Sequence, residues 1–372
     1  MNDVRELKQF AQVHARAQNI KGYRDVLARI DSDEDGAAGS WAAEWTRAGD
    51  GHLAAGHPLE ASRRYAMARF PFVDGTARRV AAEQCVNAFE QWAKERTELE
   101  RVDVDLTLDP YRGNSGRVRC WATGLSETEP RPLLLLCGGI VSVKEQWAPI
   151  LELVRRFGMS GIVAELPGVG ENTLVYGPEG ARMLSGILDA VADRADVDQT
   201  YVMAHSFSGH LALRCATLDS RIRGVVTTGA PVRSFFADRV WQARIPRITT
   251  DTLLHLTGGL REDLGSLADR LRPLALTGAE LESVRVPVAY LRSTRDEIIP
   301  QTEGELLRRH VRHVHVTDIE DVHAAPHHVA ESRLWTVVSV LRMREVHTMQ
   351  SFVVTSMWNL LRTRRRLMGA LK

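Results

Sequence analysis

One serine stands where chemistry could begin. Ala204-His205-Ser206-Phe207-Ser208-Gly209 joins the run Gln199-Thr200-Tyr201-Val202-Met203 to His210-Leu211-Ala212-Leu213-Arg214-Cys215-Ala216. The first run is apolar and β-branched and reads as a buried strand; the second reads as a helix, with Leu211 and Cys215 one turn apart. A serine on a sharp turn between the two, with small residues two before and two after, is the pattern of a nucleophile elbow, usually G-x-S-x-G. Ala204 and Ser208 hold the small positions here, and Gly209 follows. A free hydroxyl is a poor nucleophile near neutral pH. Ser206 therefore needs a base, an acid to orient that base, and N–H donors for the oxyanion.

Chain order selects among the 13 histidines. With an elbow on a parallel sheet, the partners arrive in the order serine, acid, histidine, on loops after late strands. Asp296 follows the apolar run Val286–Leu291 and the turn Ser293-Thr294-Arg295, where an orienting carboxylate is needed. Glu297 beside it is the fallback, and a solvated loop aspartate or helix cap is the plainer reading of Asp296. His323, in Ile319-Glu320-Asp321-Val322-His323-Ala324, comes 27 residues later, room for one helix and one strand. His327 and His328 compete with it but read as the opening of the last helix. His205 adjoins the nucleophile and reads as scaffold, because neighbouring side chains on an elbow diverge. The oxyanion donors expected are the backbone N–H of Phe207 and one from Gly138-Gly139-Ile140-Val141-Ser142, with Gly139 or Ile140 favoured.

These groups need a scaffold, and the hydrophobic pattern supplies one. Apolar runs at Leu133–Cys137, Gly161–Glu165, Thr200–Met203, Gly224–Thr228, Val286–Leu291 and His313–Val316 alternate with helical stretches. The helices expected are Val143–Phe157, Glu179–Arg194, Phe207–Leu218, Glu303–Arg309 and His327 to about Arg344. That alternation predicts an α/β fold with a mostly parallel sheet flanked by helices. Val102, Val104, Leu106 and Leu108 alternate with polar residues, and Gly116–Ala122 is the expected hairpin partner. Residues 1–100 read as a helical cap segment, with Trp41 and Trp45, then Ala61, Tyr65 and Ala68, at helical spacing. The α/β body is expected over 101–346. Between Pro231 and Val286 lie more than fifty residues, so 231–285 is expected to be a lid, with Phe235, Phe236 and Trp241 lining the substrate pocket.

Composition excludes several classes. At 372 residues, 44% hydrophobic and 26% charged, the chain is of ordinary globular make-up, and a net charge of +1 argues against a nucleic-acid partner. Its four scattered cysteines form no C-x-x-C, which favours a reduced protein without structural zinc. Gly168-Val169-Gly170 lacks a third glycine for dinucleotide binding, and His313-Val314-His315 lacks a third metal ligand, so no cofactor or metal is expected. A charged N-terminus and the lack of any long apolar run give an expectation of a cytoplasmic protein without stable membrane insertion. The tail 347–372 mixes Phe352, Val353, Val354, Met357 and Trp358 with Arg362, Arg364, Arg365 and Arg366. It reads as a helix docked on the body or on a partner subunit, which keeps a homodimer open.

Cys137-Gly138-Gly139-Ile140-Val141-Ser142-Val143-Lys144-Glu145, Leu166-Pro167-Gly168-Val169-Gly170-Glu171 and Asp198-Gln199-Thr200 before the elbow carry a resemblance. Together with Trp45, Ala61, Tyr65 and Ala68, they resemble the α/β-hydrolase superfamily. The nearer likeness is to the branch of 2,6-dihydropseudooxynicotine hydrolase and the fungal pigment-pathway hydrolases that shorten polyketide chains. In that branch an acidic residue is expected where Val141 stands, and glycine at Ala204 and Ser208. The resemblance implies a serine–histidine–aspartate enzyme with its site under helical caps, acting on carbon–carbon bonds next to ketones as well as on esters. The leading expectation is a hydrolase of an ester or β-dicarbonyl bond in a small, apolar, polyketide-type metabolite of natural-product biosynthesis. The same site could instead serve an acyltransferase, a lyase eliminating acetate, or a non-catalytic ligand-binding protein.

Overall fold

In a computed structural model of the chain, residues 2–111 and 113–370 are described. One eight-stranded sheet runs through the body in the order β1-β2-β4-β3-β5-β6-β7-β8. The strands are β1 (Leu99–Asp109), β2 (Asn114–Thr123), β3 (Pro132–Cys137), β4 (Ser160–Ala164), β5 (Asp196–His205), β6 (Ile222–Thr228), β7 (Val288–Ser293) and β8 (Val314–Ile319). The expected hairpin is β1 with β2; β2 also pairs antiparallel to β4, and every other pairing is parallel. Central strands are covered on both faces, so they read as apolar runs rather than alternations. The strand order reverses where β3 lies between β4 and β5, and the loops at the carboxyl ends there form the crevice in which such sheets bind ligands.

The first five helices are α1 (Val4–Ala17), α2 (Tyr23–Arg29), α3 (Trp41–Ala54), α4 (Pro58–Ala68) and α5 (Thr76–Ala93). They share a core of their own, built from Leu7, Ala11, Ala15, Trp41, Trp45 and Phe70. The indole N–H of Trp41 donates to the Met67 carbonyl at 2.7 Å, which satisfies the one polar atom that this ring buries.

Around the sheet lie α6 (Leu151–Val154), α7 (Arg182–Ala190) and α8 (Phe207–Leu218). The stretch 143–157 is not the single helix expected; it breaks into short 3-10 turns around α6, because Pro149 removes a backbone donor in its second turn. The long interval after β6 holds α9 (Ser234–Ala237), α10 (Arg239–Gln242), α11 (Arg247–Leu256), α12 (Leu267–Leu271) and α13 (Gly278–Ser283). Then come α14 (Thr302–His310), α15 (Val329–Met343) and α16 (Met349–Ala370). Trp358 of α16 is buried against α15, while Phe352 and Leu360 are exposed. Arg365 pairs with Glu331; the side chain of Arg366 and residues 371–372 lie outside the described residues. No helix among the described residues is long and apolar enough to cross a membrane.

Candidate active site

β5 delivers its last residue, His205, to the turn, and α8 begins at Phe207. Ser206 between them has φ 55° and ψ −127°, a conformation that costs a residue with a Cβ roughly 1–3 kcal/mol. The sequence holds it there by close packing. A Cβ on Gly209 would stand 2.1 Å from Thr227 Oγ1, so α8 can approach β6 only with glycine at that position. Ser208 carries a hydroxyl where the resemblance led to glycine. Its Oγ lies 2.9 Å from both the Cys137 and His205 carbonyls, so the extra group ties the elbow to the end of β3.

The structure brings the three expected side chains together. Ser206 Oγ is 2.9 Å from His323 Nε2, and His323 Nδ1 is 2.9 and 3.0 Å from the two Asp296 oxygens. A carboxylate can only accept, so Nδ1 carries the proton and Nε2 presents its lone pair to the serine hydroxyl. Asp296 Oδ1 also accepts from the amides of Ile298 and Ile299, which fixes the carboxylate on the loop after β7. The alternative acid, Glu297, accepts from the backbone N–H of His323 and not from its ring. Burial pushes the His323 imidazole down, but the charge and hydrogen bond of Asp296, with Glu297 adding to them, outweigh it and hold the ring above its ordinary value. His327 and His328 each give a ring contact at 2.8 Å to Asp321 and stand apart from the serine.

Chain order did not single out Gly229. It has φ 56° at the end of β6, and a Cβ there would meet His323 Cε1 at 3.0 Å. Its signal in the sequence is a glycine directly after an apolar strand, followed by Ala230-Pro231.

Phe207, Gly139 and Ile140 line the same cavity as Ser206. Phe207 is the first residue of α8, where a helix N–H has no intrahelical acceptor. Gly139 passes so close that a Cβ on it would lie 3.4 Å from Ser206 Cβ. Behind this loop the family-like motif residues form a buried ion cluster. The ammonium of Lys144 lies 2.7 Å from Glu145, 2.6 Å from Glu171 and 3.6 Å from Glu165. Glu165 also accepts from the amides of Lys144 and Glu171, lacing the loop after β3 to the turn after β4. Burial, reinforced by the charge of Glu145, raises the Glu165 carboxyl to about 7 against the opposing pull of Lys144.

The cavity has a volume of about 160 Å³, on the scale of protein cavities that hold one small ring. Its roof differs from the one expected. Phe10, Val13, His14 and Ala17 of α1 and Val329, Ser332, Arg333 and Thr336 of α15 form most of it, whereas the 231–285 insertion contributes Ile248 and Thr249. Phe235 and Phe236 do not reach the cavity. The Glu303 carboxylate accepts from the amides of Arg233 and Phe235 and draws this segment inward, where both rings pack on Phe207 at 5.0 and 6.3 Å. Trp241 also stays outside, its indole donating to the Ile298 carbonyl at 2.7 Å beneath the Asp296 loop. All three side chains support the site from behind. The ring of His205, read as scaffold, is on the cavity wall, stacked on Trp147 at 4.4 Å and bonded through Nδ1 to Thr228.

Several known proteins are similar to this chain. The Esterase FrsA-like family matches residues 29–322. Esterase FrsA of Vibrio vulnificus (strain YJ016) is 22% identical over 314 residues, covering 80% of this chain and 74% of the relative. The solved structure of wild-type AbyA5 is 47% identical, with a TM-score of 0.91 over 97% of this chain and 100% of that one. A crystal structure of the 2,6-dihydroxy-pseudo-oxynicotine hydrolase is 18% identical with a TM-score of 0.67, covering 89% of this chain and 96% of that one, a likeness of fold.

Proposed function

The chain belongs to the Esterase FrsA-like family of α/β-hydrolase enzymes, and from that premise we propose that it cleaves an ester or β-dicarbonyl bond of a small, mostly apolar metabolite through Ser206, His323 and Asp296. The relay of 2.9 Å contacts from Asp296 through His323 to Ser206, under an apolar cavity, is the observation that carries this reading.

In the first step Ser206 Oγ attacks the substrate carbonyl while His323 Nε2 takes its proton. Asp296 stabilises the imidazolium and keeps the ring in register. The oxyanion faces the amides of Phe207 and of Gly139 or Ile140; one such donor is worth about 10²–10³ in rate. Collapse expels an alkoxide from an ester or an enolate from a β-dicarbonyl, and His323 returns the proton to it. Water, activated by the same imidazole, then releases the acid and restores Ser206.

Treatment with a serine-directed alkyl phosphonate, followed by peptide mass analysis, tests the reading. Mass added at Ser206, together with loss of turnover in Ser206→Ala, supports it. Full turnover in Ser206→Ala with none in His323→Ala would overturn covalent catalysis and assign the site to base-driven elimination.

A further inference from the structure

Two faces of α1 do different work. Leu7, Ala11 and Ala15 pack into the N-terminal core, while Phe10, Val13, His14 and Ala17, at i, i+3, i+4 and i+7, look into the cavity. His14 is the polar member of that second stripe. Its ring rests on Phe70 with centroids 5.1 Å apart, and neither nitrogen has a hydrogen-bond partner among the described residues. The other histidines inside the fold each have at least one bonded nitrogen: His205 Nδ1 to Thr228, its Nε2 being left without a partner, His210 to the Leu274 carbonyl and His323 to Asp296. Three polar groups of α15 on the roof are committed. Ser332 and Thr336 donate to carbonyls of their own helix, and Arg333 donates to the Ala17 carbonyl.

We propose that His14 is a substrate-binding residue whose imidazole hydrogen-bonds a second oxygen of the substrate, a carbonyl or hydroxyl on the carbon chain near the carbonyl that Ser206 attacks. The proposal rests on the reading of Ser206 as nucleophile and narrows the substrate class to oxygenated carbonyl compounds. A polar group left facing an apolar cavity without a partner is destabilising, and a substrate oxygen of the right placement offsets that cost. Burial, with the charges of Arg69 and His323 close by, pushes the His14 ring down to about 4. It is therefore neutral at ordinary pH and offers one donor and one acceptor, so it takes a carbonyl or a hydroxyl equally.

The test compares two ligands of equal length, a linear β-diketone and the matching monoketone, by calorimetry on the wild type, His14→Phe and His14→Gln. The wild type is expected to bind the diketone more tightly. His14→Phe should weaken diketone binding about 10- to 100-fold and leave the monoketone within threefold, and His14→Gln should recover part of the loss. Equal weakening of both ketones, no change in either, or no wild-type preference overturns the proposal. Phosphonate labelling of Ser206 is measured on the same three proteins. Absence of labelling with the ketone pattern intact would overturn the nucleophile reading and leave His14 as a binding residue.

Discussion

The floor and the roof of the cavity are built on different terms. The floor comes from loops at the carboxyl ends of β3, β5, β6, β7 and β8, and the catalytic candidates there are held by several contacts. Asp296 accepts from two amides and a ring, Ser206 is wedged by Gly209 and Ser208, and the loop bearing Gly139 is laced to its neighbour by Lys144 and Glu165. The roof is made of helix faces from early and late in the chain, α1 and α15, joined by few bonds. Glu6 accepts from the amides of Arg247 and Ile248 at the start of α11, and Arg333 reaches the Ala17 carbonyl. Most of the floor lies within residues 29–322, the span shared with the family, and α1 and α15 lie outside it. Chemistry tolerates little displacement, since about 1 Å can cost 10²-fold in rate, whereas an apolar roof can be rebuilt for a new substrate without moving the reacting groups.

The largest effect should follow from Asp296→Asn. Without the carboxylate His323 loses its oriented tautomer, and turnover should fall by roughly 10³- to 10⁴-fold in steady-state kinetics. The residual activity also carries a pH signature. Asp296 is what holds the imidazole above its ordinary value against burial, so the wild-type rate should rise with pH through a midpoint above that value. In the variant burial is less opposed and the midpoint should move down. An unchanged midpoint would break the assignment.

Lys144→Met tests the lacing of the floor. It leaves Glu145, Glu165 and Glu171 around a neutral side chain, and breaking a buried ion pair this way costs about 3–5 kcal/mol in denaturant unfolding. A loss below about 1 kcal/mol would show that the cluster does not hold the loop. Gly229→Ala should cost less stability, about 1–2 kcal/mol for forcing a Cβ into the left-handed region. It should still lower the rate at least tenfold, because the Cβ would press on His323.

The smallest effect belongs to the roof. Glu6→Gln removes the charge that caps α11, a loss of about 0.3–1 kcal/mol in thermal unfolding. Substrate KM should rise severalfold while the rate of phosphonate labelling at Ser206 stays the same. A fall in labelling as large as the change in KM would erase the distinction between floor and roof.

Much of the floor was legible in the chain itself. Ser206 announced itself by a local pattern of strand, small-residue turn and helix, and Asp296 and His323 by their order after late strands. The helix at Phe207–Leu218 ends where the pattern does. Such signals survive because strand period, turn chemistry and right-handed crossovers constrain neighbours in sequence. The motif residues Lys144, Glu145 and Glu171 could be seen but not understood, since nothing in their spacing says that their charges meet in the interior. Phe235 and Phe236 were visible as apolar residues of an insertion, but whether such rings face a cavity or a core depends on the carboxylate of Glu303, many residues away.

By itself, the sequence determined a parallel sheet, an elbow and the order of its partners, because each depends on local propensity and chain direction. Only the tertiary structure decided what closes over Ser206. An amphipathic helix states that it has an apolar side without naming what that side covers. The docking of α1 put one face into a core and the other, with His14, over the serine.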